Sequence, residues 1–577
     1  MKPFDIGGCF RRPRPGVFLT SLVASVTVFV WAALLQPSDS RYTPAMLAAT
    51  VGGVAAVLLV WRVGLPEWLR RLLDSPAGLA GAGACIFLFI NYCGMRQFGG
   101  FDHSALIDAG WRMVQGQRPY LDFPCTVPIG FLLGTEYAFE VFGLHWQSLI
   151  FLHGCYAVAL FVWSYLLLRQ ILADRLMAFL LAFACQAFSM MVVSYWWYNP
   201  ITSTTAVVLL LSAVAALQRS RSFWAWASYI GSLVLLATMK PNVGGLVIAG
   251  ATVVLLSCSA TRWRAVGASL AAGAVILGWL ALHHIRAADV YAGYRSIAGR
   301  GFSMRQFLQD LSPTEQRLSL IGLVLVTLPV ASSIWPVRRL ASVGRTGGLA
   351  LVAFIAGLYG FLTNGELKLV DLPLLLLAST VFVSYQPPSE GLVARPALVL
   401  RYGWGRYVKL LTVVLVAIGL TQGITRDRVK AIGPGAFFES QLVPEPIHNP
   451  FFRGLRTGRI FQSVLAQVGQ TVGRYPGAHV YFGPRMQWGY AAFGLPSPVG
   501  QPIWWHPGVS LASSDVGFYL DRWSAAEFDV LVFWYNARAN VTDFTYMPQA
   551  FLDRIGMAYR EDDSLSEMTL YFKREPR

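Results

Sequence analysis

The sequence predicts a polytopic α-helical membrane protein that ends in a soluble α/β domain, and three observations predict it. Of 577 residues, 55% are hydrophobic and only 13% are charged, against about a quarter charged in a soluble globular domain. The apolar residues gather into runs near the ~20-residue length that crosses a bilayer. Residues 424–577 differ: they hold no such run and carry 15 Lys+Arg against 14 Asp+Glu, where residues 1–423 carry 31 against 16. This composition excludes a disordered or collagen-like chain and argues against a soluble multidomain enzyme.

Spanning-length runs fall at 17–35, 44–61, 77–95, 147–168, 176–197, 200–217, 223–239, 242–258, 265–285, 318–335, 347–363, 367–385 and 410–423, which makes 13 candidate transmembrane helices. The first follows a basic flank of Arg11, Arg12 and Arg14, as a signal peptide would. Its apolar run is longer than a usual signal core and no A-x-A site closes it, so it reads as a retained helix. All seven Cys lie before residue 424, so the tail has no disulfide framework.

Lys and Arg mark the cytoplasmic side of short loops. With the N-terminus inside, alternation places 20 of the 31 basic residues of the membrane region on the cytoplasmic side and 11 of its 16 acidic residues outside. The expected location is therefore the inner, cytoplasmic membrane, with the N-terminus cytoplasmic and the tail periplasmic. Most of the net charge of +16 is then an orientation signal, and no nucleic-acid partner is implied. One outer loop breaks the rule: 286–317 holds Arg286, Arg295, Arg300, Arg305 and Arg317. It reads either as an amphipathic segment on lipid headgroups or as a site for an anionic lipid ligand.

In the tail, helical spacing covers 456–474, and 478–483 and 528–534 read as strands. A short helix falls near 485–493, and 557–561 with 567–573 forms a hairpin. No G-x-G-x-x-G or P-loop fingerprint occurs there. The stretch 483–508, rich in Gly, Pro and Trp, reads either as an acceptor groove or as a loop docking on the membrane region.

The chemistry concentrates in the outer loop 96–146, which holds Asp102, Asp108, Asp122, Glu136 and Glu140, five of the 16 acids of the membrane region. Helical spacing over 103–117 suggests an interfacial helix, stopped at Gly116, with Asp102 at its N-cap position. Each carboxylate has a plain structural reading: Asp102 a cap, Asp108 a solvated helix face, Asp122 a turn after Pro119. The functional reading makes Asp102 a general base within reach of an acceptor hydroxyl, with Asp122 or Asp108 offering a second carboxylate. Trp196, Trp197 and Tyr198 stand at an outer boundary, either as an aromatic belt or as a stacking surface for a sugar. Lys240 ends a span just before a proline, where it either snorkels to the interface or binds an anion. Asn364 and Glu366 lie in an outer turn suited to sugar hydroxyls, and Asp371 falls about one turn inside the next span. No His/Cys/Asp group has zinc spacing; a divalent cation on the outer carboxylates is left open.

The run FDHSALIDAGWRMVQGQRPYLDF at 101–123 resembles the first outer loop of the GT-C superfamily of polytopic glycosyltransferases. That superfamily includes protein mannosyltransferases, lipid A aminoarabinose transferases and arabinofuranosyltransferases. The family pattern is an Asp early in the loop, a helix, and then a G-x-x-P-Y-x-D-F-like stretch, matched here by Asp102, 103–117 and Gly116 to Phe123. The likeness extends to WWYNP at 196–200, TMKPN at 238–242 and TNGE at 363–366, each at the outer end of a span. The chain departs from the pattern in two ways: the loop follows the third helix rather than the first, and His103 stands where an acidic dyad would place a second carboxylate.

The resemblance implies a polyprenyl-phosphate-linked sugar as donor and an envelope glycan, lipid or protein as acceptor. Asp102 would deprotonate the acceptor hydroxyl, which displaces polyprenyl phosphate with inversion at the anomeric carbon. Lys240, Arg295, Arg300, Arg305 and His284 would meet the leaving phosphate, while Trp196, Trp197, Tyr198, Asn199, Asn364 and Glu366 would hold sugar or acceptor. The alternatives are a transporter or flippase of lipid-linked sugars, a glycan polymerase or ligase, and a membrane scaffold. The absence of a visible repeat and the outward clustering of ionisable residues favour an enzyme over a transporter. A scaffold would leave the acidic loop without a role.

Overall fold

The computed structural model describes residues 71, 75–96, 98, 101–172, 175–191, 193–295, 344–363, 373–374, 377, 449–455, 459–507, 510–536, 541–542, 547–562, 564–565 and 568–574. The spans expected at 17–35, 44–61, 318–335 and 410–423, and most of 367–385, lie outside them.

Four described helices are long and apolar enough to cross a membrane: α1 (Pro76–Gly94), α4 (Trp146–Ile171), α6 (Tyr198–Gln218) and α9 (Arg262–Leu282). Ser75 caps α1, its Oγ accepting from Gly78 N at 3.0 Å, and Pro76 opens the helix with its fixed φ. Between the long helices lie α2 (Phe101–Val114), α3 (Ile129–Phe142), α5 (Arg175–Phe188), α7 (Phe223–Thr238) and α8 (Pro241–Leu256). Then come α10 (Ala287–Arg295) and α11 (Gly344–Thr363).

Helix α6 is the axis of this region. Its most apolar window is 94% buried, whereas that of α9 is 22% buried with Trp263, Leu270, Leu277 and Leu282 exposed. A helix apolar all round belongs in the middle. Small hydroxyls on α6 let its neighbours approach: Thr204 and Ser212 bond back to the carbonyls of Pro200 and Val208 at 2.8 Å, and Ser212 also meets Ser228 of α7 at 2.7 Å. Tyr156 of α4 reaches Thr205 at 3.1 Å.

The span expected at 176–197 is corrected. Helix α5 ends at Phe188, and its 14 residues cover about 21 Å, short of the ~30 Å hydrocarbon core. The following turns stay buried nonetheless. Their backbone is satisfied by side chains, as burial demands. Ser189 Oγ donates to Pro200 O at 2.8 Å, Ser194 Oγ to Met191 O at 2.8 Å, and His153 Nε2 meets Met190 O at 2.9 Å. The outer loop 96–146 is also more regular than expected, because α3, 14 residues long, lies within it besides α2.

The tail contains α12 (Arg459–Arg474), β1 (Val480–Phe482), α13 (Trp488–Phe493), α14 (Val516–Ala525), β2 (Val530–Asn536), β3 (Val541–Thr542), α15 (Gln549–Ala558), β4 (Tyr559–Asp562) and β5 (Met568–Lys573). Strand order is β1-β2-β5-β4, with β1 parallel to β2, the other pairs on this path antiparallel, and β3 pairing with β2. The expected strands and hairpin are present; α14 and α15 are additional. Strand β2 explains the domain's placement. Its alternate residues face opposite sides: Leu531 and Phe533 join a tail core with Tyr481, Trp505 and Trp523, while Val530, Val532 and Trp534 join a core continuous with the membrane region.

Candidate active site

Helix α2 has its head between the two halves of the protein. Asp102 lies in its first turn rather than at a cap before it; its side chain lies outside the described residues. The next two residues, about 100° apart on the helix, meet different neighbours. His103 is buried, with its ring edge-on to Tyr195 (centroids 4.0 Å, 90°), 5.5 Å from Trp146 and 5.6 Å from Trp197. Ser104 is buried against the tail: its Oγ donates to Gln487 Oε1 at 2.9 Å and accepts from Trp488 N at 3.0 Å.

The aromatic wall leads on to a cation. Trp197 packs on Tyr198 at 4.2 Å, Tyr198 lies 5.3 Å from Lys240 Nζ, and Lys240 Nζ donates to Asn199 Oδ1 at 2.7 Å. Sequence fixes this locally. Trp197 is the N-cap of α6, with Pro200 in its first turn. Lys240 is the N-cap of α8, with Pro241 next. The N-terminal ends of two helices, each with a partial positive charge, therefore lie beside one ammonium, an environment that favours an anion. The sequence motifs WWYNP and TMKPN thus meet in space.

Not every aromatic there is free for a ligand. Trp196 is neither belt nor sugar platform: it is buried, and its Nε1 donates to Phe131 O at 3.2 Å. A Cβ on Gly134 would lie 2.5 Å from its Cζ2. Trp197 is covered by His103 and Tyr198, while Tyr198 remains partly exposed.

Asp108 is also corrected. It is not on a solvated face but fully buried, with Oδ2 accepting from Arg112 Nε at 2.9 Å and Oδ1 from Ser497 Oγ at 2.7 Å. Burial pushes its carboxyl above the usual range, against the pull of Arg112 and Ser497. With both oxygens engaged it has no approach for an acceptor. Arg112 Nη1 bonds the carbonyls of Pro498 and Gln501 at 2.7 and 2.9 Å. Further contacts seat the same loop: Trp111 and Gln115 on Leu495 O, Gln117 on Ser497 O, and Gly500 N on Asp122 O. The 483–508 stretch therefore docks on α2. Asp122 takes the local role: Arg118 donates to it from Nε at 3.0 Å and from its backbone N at 2.7 Å, which holds its carboxyl below the usual range.

The other cationic candidates that the structure describes stand on α9 and α10. His283 and His284 end α9 against α3, where His283 Nε2 meets Tyr137 OH at 2.6 Å. His283 Nδ1 also lies 3.8 Å from Glu136 Oε2. His284 is exposed with φ +54°. Helix α10 docks on the loop beyond α2, since a Cβ on Gly293 would lie 2.5 Å from the Tyr120 ring. Arg286 is occupied with Asp289 at 2.8 Å. Arg295 ends α10 with its side chain outside the described residues; Arg300, Arg305, Asn364, Glu366 and Asp371 lie wholly outside them.

Burial, then neighbouring Glu140, pushes Glu136 up to about 7. Because the folded-state value is raised, the stability linked to Glu136 is complete below its ordinary range and is lost as pH rises through 7. Glu136→Gln is therefore expected to stabilise the protein above pH 7, by about 1 kcal/mol after allowance for solvent screening. Melting curves from pH 5 to 9 check this; an equal gain at pH 5 would contradict it.

No family model matches the chain, and no curated protein matches it. Seven solved chains do. One is the crystal structure of ArnT from Cupriavidus metallidurans bound to undecaprenyl phosphate, at 13% identity, covering 87% of this chain and 100% of that one, with a TM-score of 0.44. At that identity and TM-score the likeness says nothing about chemistry.

Proposed function

We propose that the protein is a membrane glycosyltransferase that moves a sugar from a polyprenyl-phosphate donor to an envelope acceptor on the outer face. One observation carries the reading: the head of α2, which bears Asp102, adjoins the aromatic wall that ends at Lys240 and Asn199. A base and a phosphate-binding cation are the two groups an inverting displacement needs. Asp102 takes the acceptor proton, the acceptor oxygen bonds to the anomeric carbon, and the electron pair of the breaking bond goes to the phosphate oxygen. Lys240 and the two helix ends stabilise that growing charge. Residues 1–423 form the catalytic membrane region and 424–577 the periplasmic domain.

Incubating purified protein with a panel of labelled polyprenyl-phosphate sugars tests the activity; no sugar-dependent release of polyprenyl phosphate from any donor would sink it. Lys240→Ala is expected to raise the donor KM roughly 10- to 100-fold, the worth of a charge-assisted hydrogen bond. An unchanged KM would remove Lys240 from the phosphate. Orientation has its own check. Val499 is 68% exposed on the docked loop, so Val499→Cys should react with a membrane-impermeant maleimide from the periplasmic side only.

A transporter is the second reading, favoured by the buried non-helical break after α5, since broken helices form transporter sites. Movement of an intact labelled donor across vesicles without cleavage would support it.

A further inference from the structure

The first turn of a helix frays readily, because its leading N–H groups have no partner within the helix. A catalytic base placed there needs outside support, and on α2 that support comes from the tail. Ser104 is fully buried, and its hydroxyl makes two bonds: Oγ donates to Gln487 Oε1 at 2.9 Å and accepts from Trp488 N at 3.0 Å. Trp488 opens α13, so its amide is one of the groups that a helix start leaves over. Gln487 is buried too, and its Nε2 donates to Ile503 O at 2.9 Å. Ile503 packs in one cluster with Ala105 and Ala109 of α2. A side-chain amide is the group that accepts from Ser104 and donates to Ile503 at once. Successive positions on a helix turn by about 100°. Position 103 is turned toward the aromatic wall, where the His103 ring meets Tyr195 and Trp197. Position 104 is turned toward the tail, and position 102 falls on the remaining part of the circumference. Those two contacts therefore fix the roll of α2 about its axis, and with it the direction of position 102.

We infer that Gln487 is a positioning residue for sugar transfer: through Ser104 it holds the head of α2 at the roll that aims Asp102 at the acceptor hydroxyl. This rests on the glycosyltransferase reading above. The Gln487 amide is buried and bonded at both its oxygen and its nitrogen. It therefore acts not on the substrate but on the distance and angle at which Asp102 takes the proton. A general base has to stand within hydrogen-bond reach of the group it deprotonates, and a misplacement of ~1 Å costs about 10²-fold in rate. Without the amide, Ser104 keeps only the Trp488 N–H, and Ile503 O loses its donor. The tail then contributes to catalysis without placing a group of its own in the reaction.

The test is a rate cycle on the full-length protein in detergent, with the panel of labelled polyprenyl-phosphate sugars as probes and release of polyprenyl phosphate as the readout. All rates are taken below the melting temperature of every variant. Gln487→Ala should lower kcat about 10- to 100-fold and leave the donor KM unchanged. In an Asp102→Asn background no base is left to aim, so the same substitution should cost less than about 2-fold. A merely structural loss would be equal in both backgrounds. Ser104→Ala, a smaller change at the other end of the bond, should depend on Asp102 in the same way, and it carries the cycle if Gln487→Ala does not fold. An equal loss in both backgrounds, an unchanged kcat for Gln487→Ala, or a loss that lies in the donor KM overturns the positioning role and leaves the transferase reading standing. Full turnover by Asp102→Asn overturns the base assignment and the positioning role together. No release from any donor by the wild type overturns the glycosyltransferase reading itself.

Discussion

Asp102→Asn is expected to lower the rate of sugar transfer by about 10²–10⁴-fold, the usual worth of a positioned general base, while the folded protein and its donor affinity stay as they were. The substitution is nearly isosteric and keeps a side chain that tolerates the first turn of a helix, so α2 (Phe101–Val114) has no reason to shift. Its neighbours are fixed independently: His103 by Tyr195 and Trp197, Ser104 by Gln487 and Trp488. A loss of kcat with an unchanged donor KM and melting temperature is what a base at this position predicts. A fall in donor affinity of similar size would reassign Asp102 to binding, and full turnover would remove it from the reaction.

The sequence reading succeeded where the physics is local and failed where it is not. Spans 147–168, 200–217 and 265–285 became α4, α6 and α9 because length and hydropathy are properties of the segment itself. Lys240 and Asn199, given separate roles by the sequence reading, meet because helices that alternate in direction return their outer ends to one level. The 176–197 span was misread because a buried irregular segment is as apolar as a buried helix, and an apolar run without period does not separate them. Trp196 was misread for a similar reason: beside Tyr198 it looks like a membrane-interface residue, and its burial against Phe131 and Gly134 of α3 is a tertiary contact that the local sequence does not show. Asp108 and Arg112, four residues apart, have the spacing of a solvated surface pair. What buries them, Ser497, Pro498 and Gln501, lies more than 380 residues away along the chain. The 483–508 stretch kept two readings for the same reason.

That distant packing sets the second large effect. Arg112→Met is expected to destabilise the protein by about 3–5 kcal/mol, because it leaves a buried carboxylate without its counter-charge. Two tail carbonyls, of Pro498 and Gln501, lose their donor as well. Adding Asp108→Asn should recover part of that loss, since the amide needs no counter-charge and its oxygen or nitrogen still reaches Ser497 Oγ, 2.7 Å away in the native pair. The recovery should be incomplete, because nothing replaces the two carbonyl bonds. The four melting temperatures of wild type, both single variants and the double variant form a cycle whose coupling term isolates the ion pair. A coupling near zero would show that Arg112 acts through the carbonyls alone. The same variants connect stability to function: this network fastens the 495–501 loop to α2, and Ser104 fastens Gln487 two turns away. If the tail positions the base, Arg112→Met should lose activity at temperatures well below its melting point, and the double variant should regain it in step with stability.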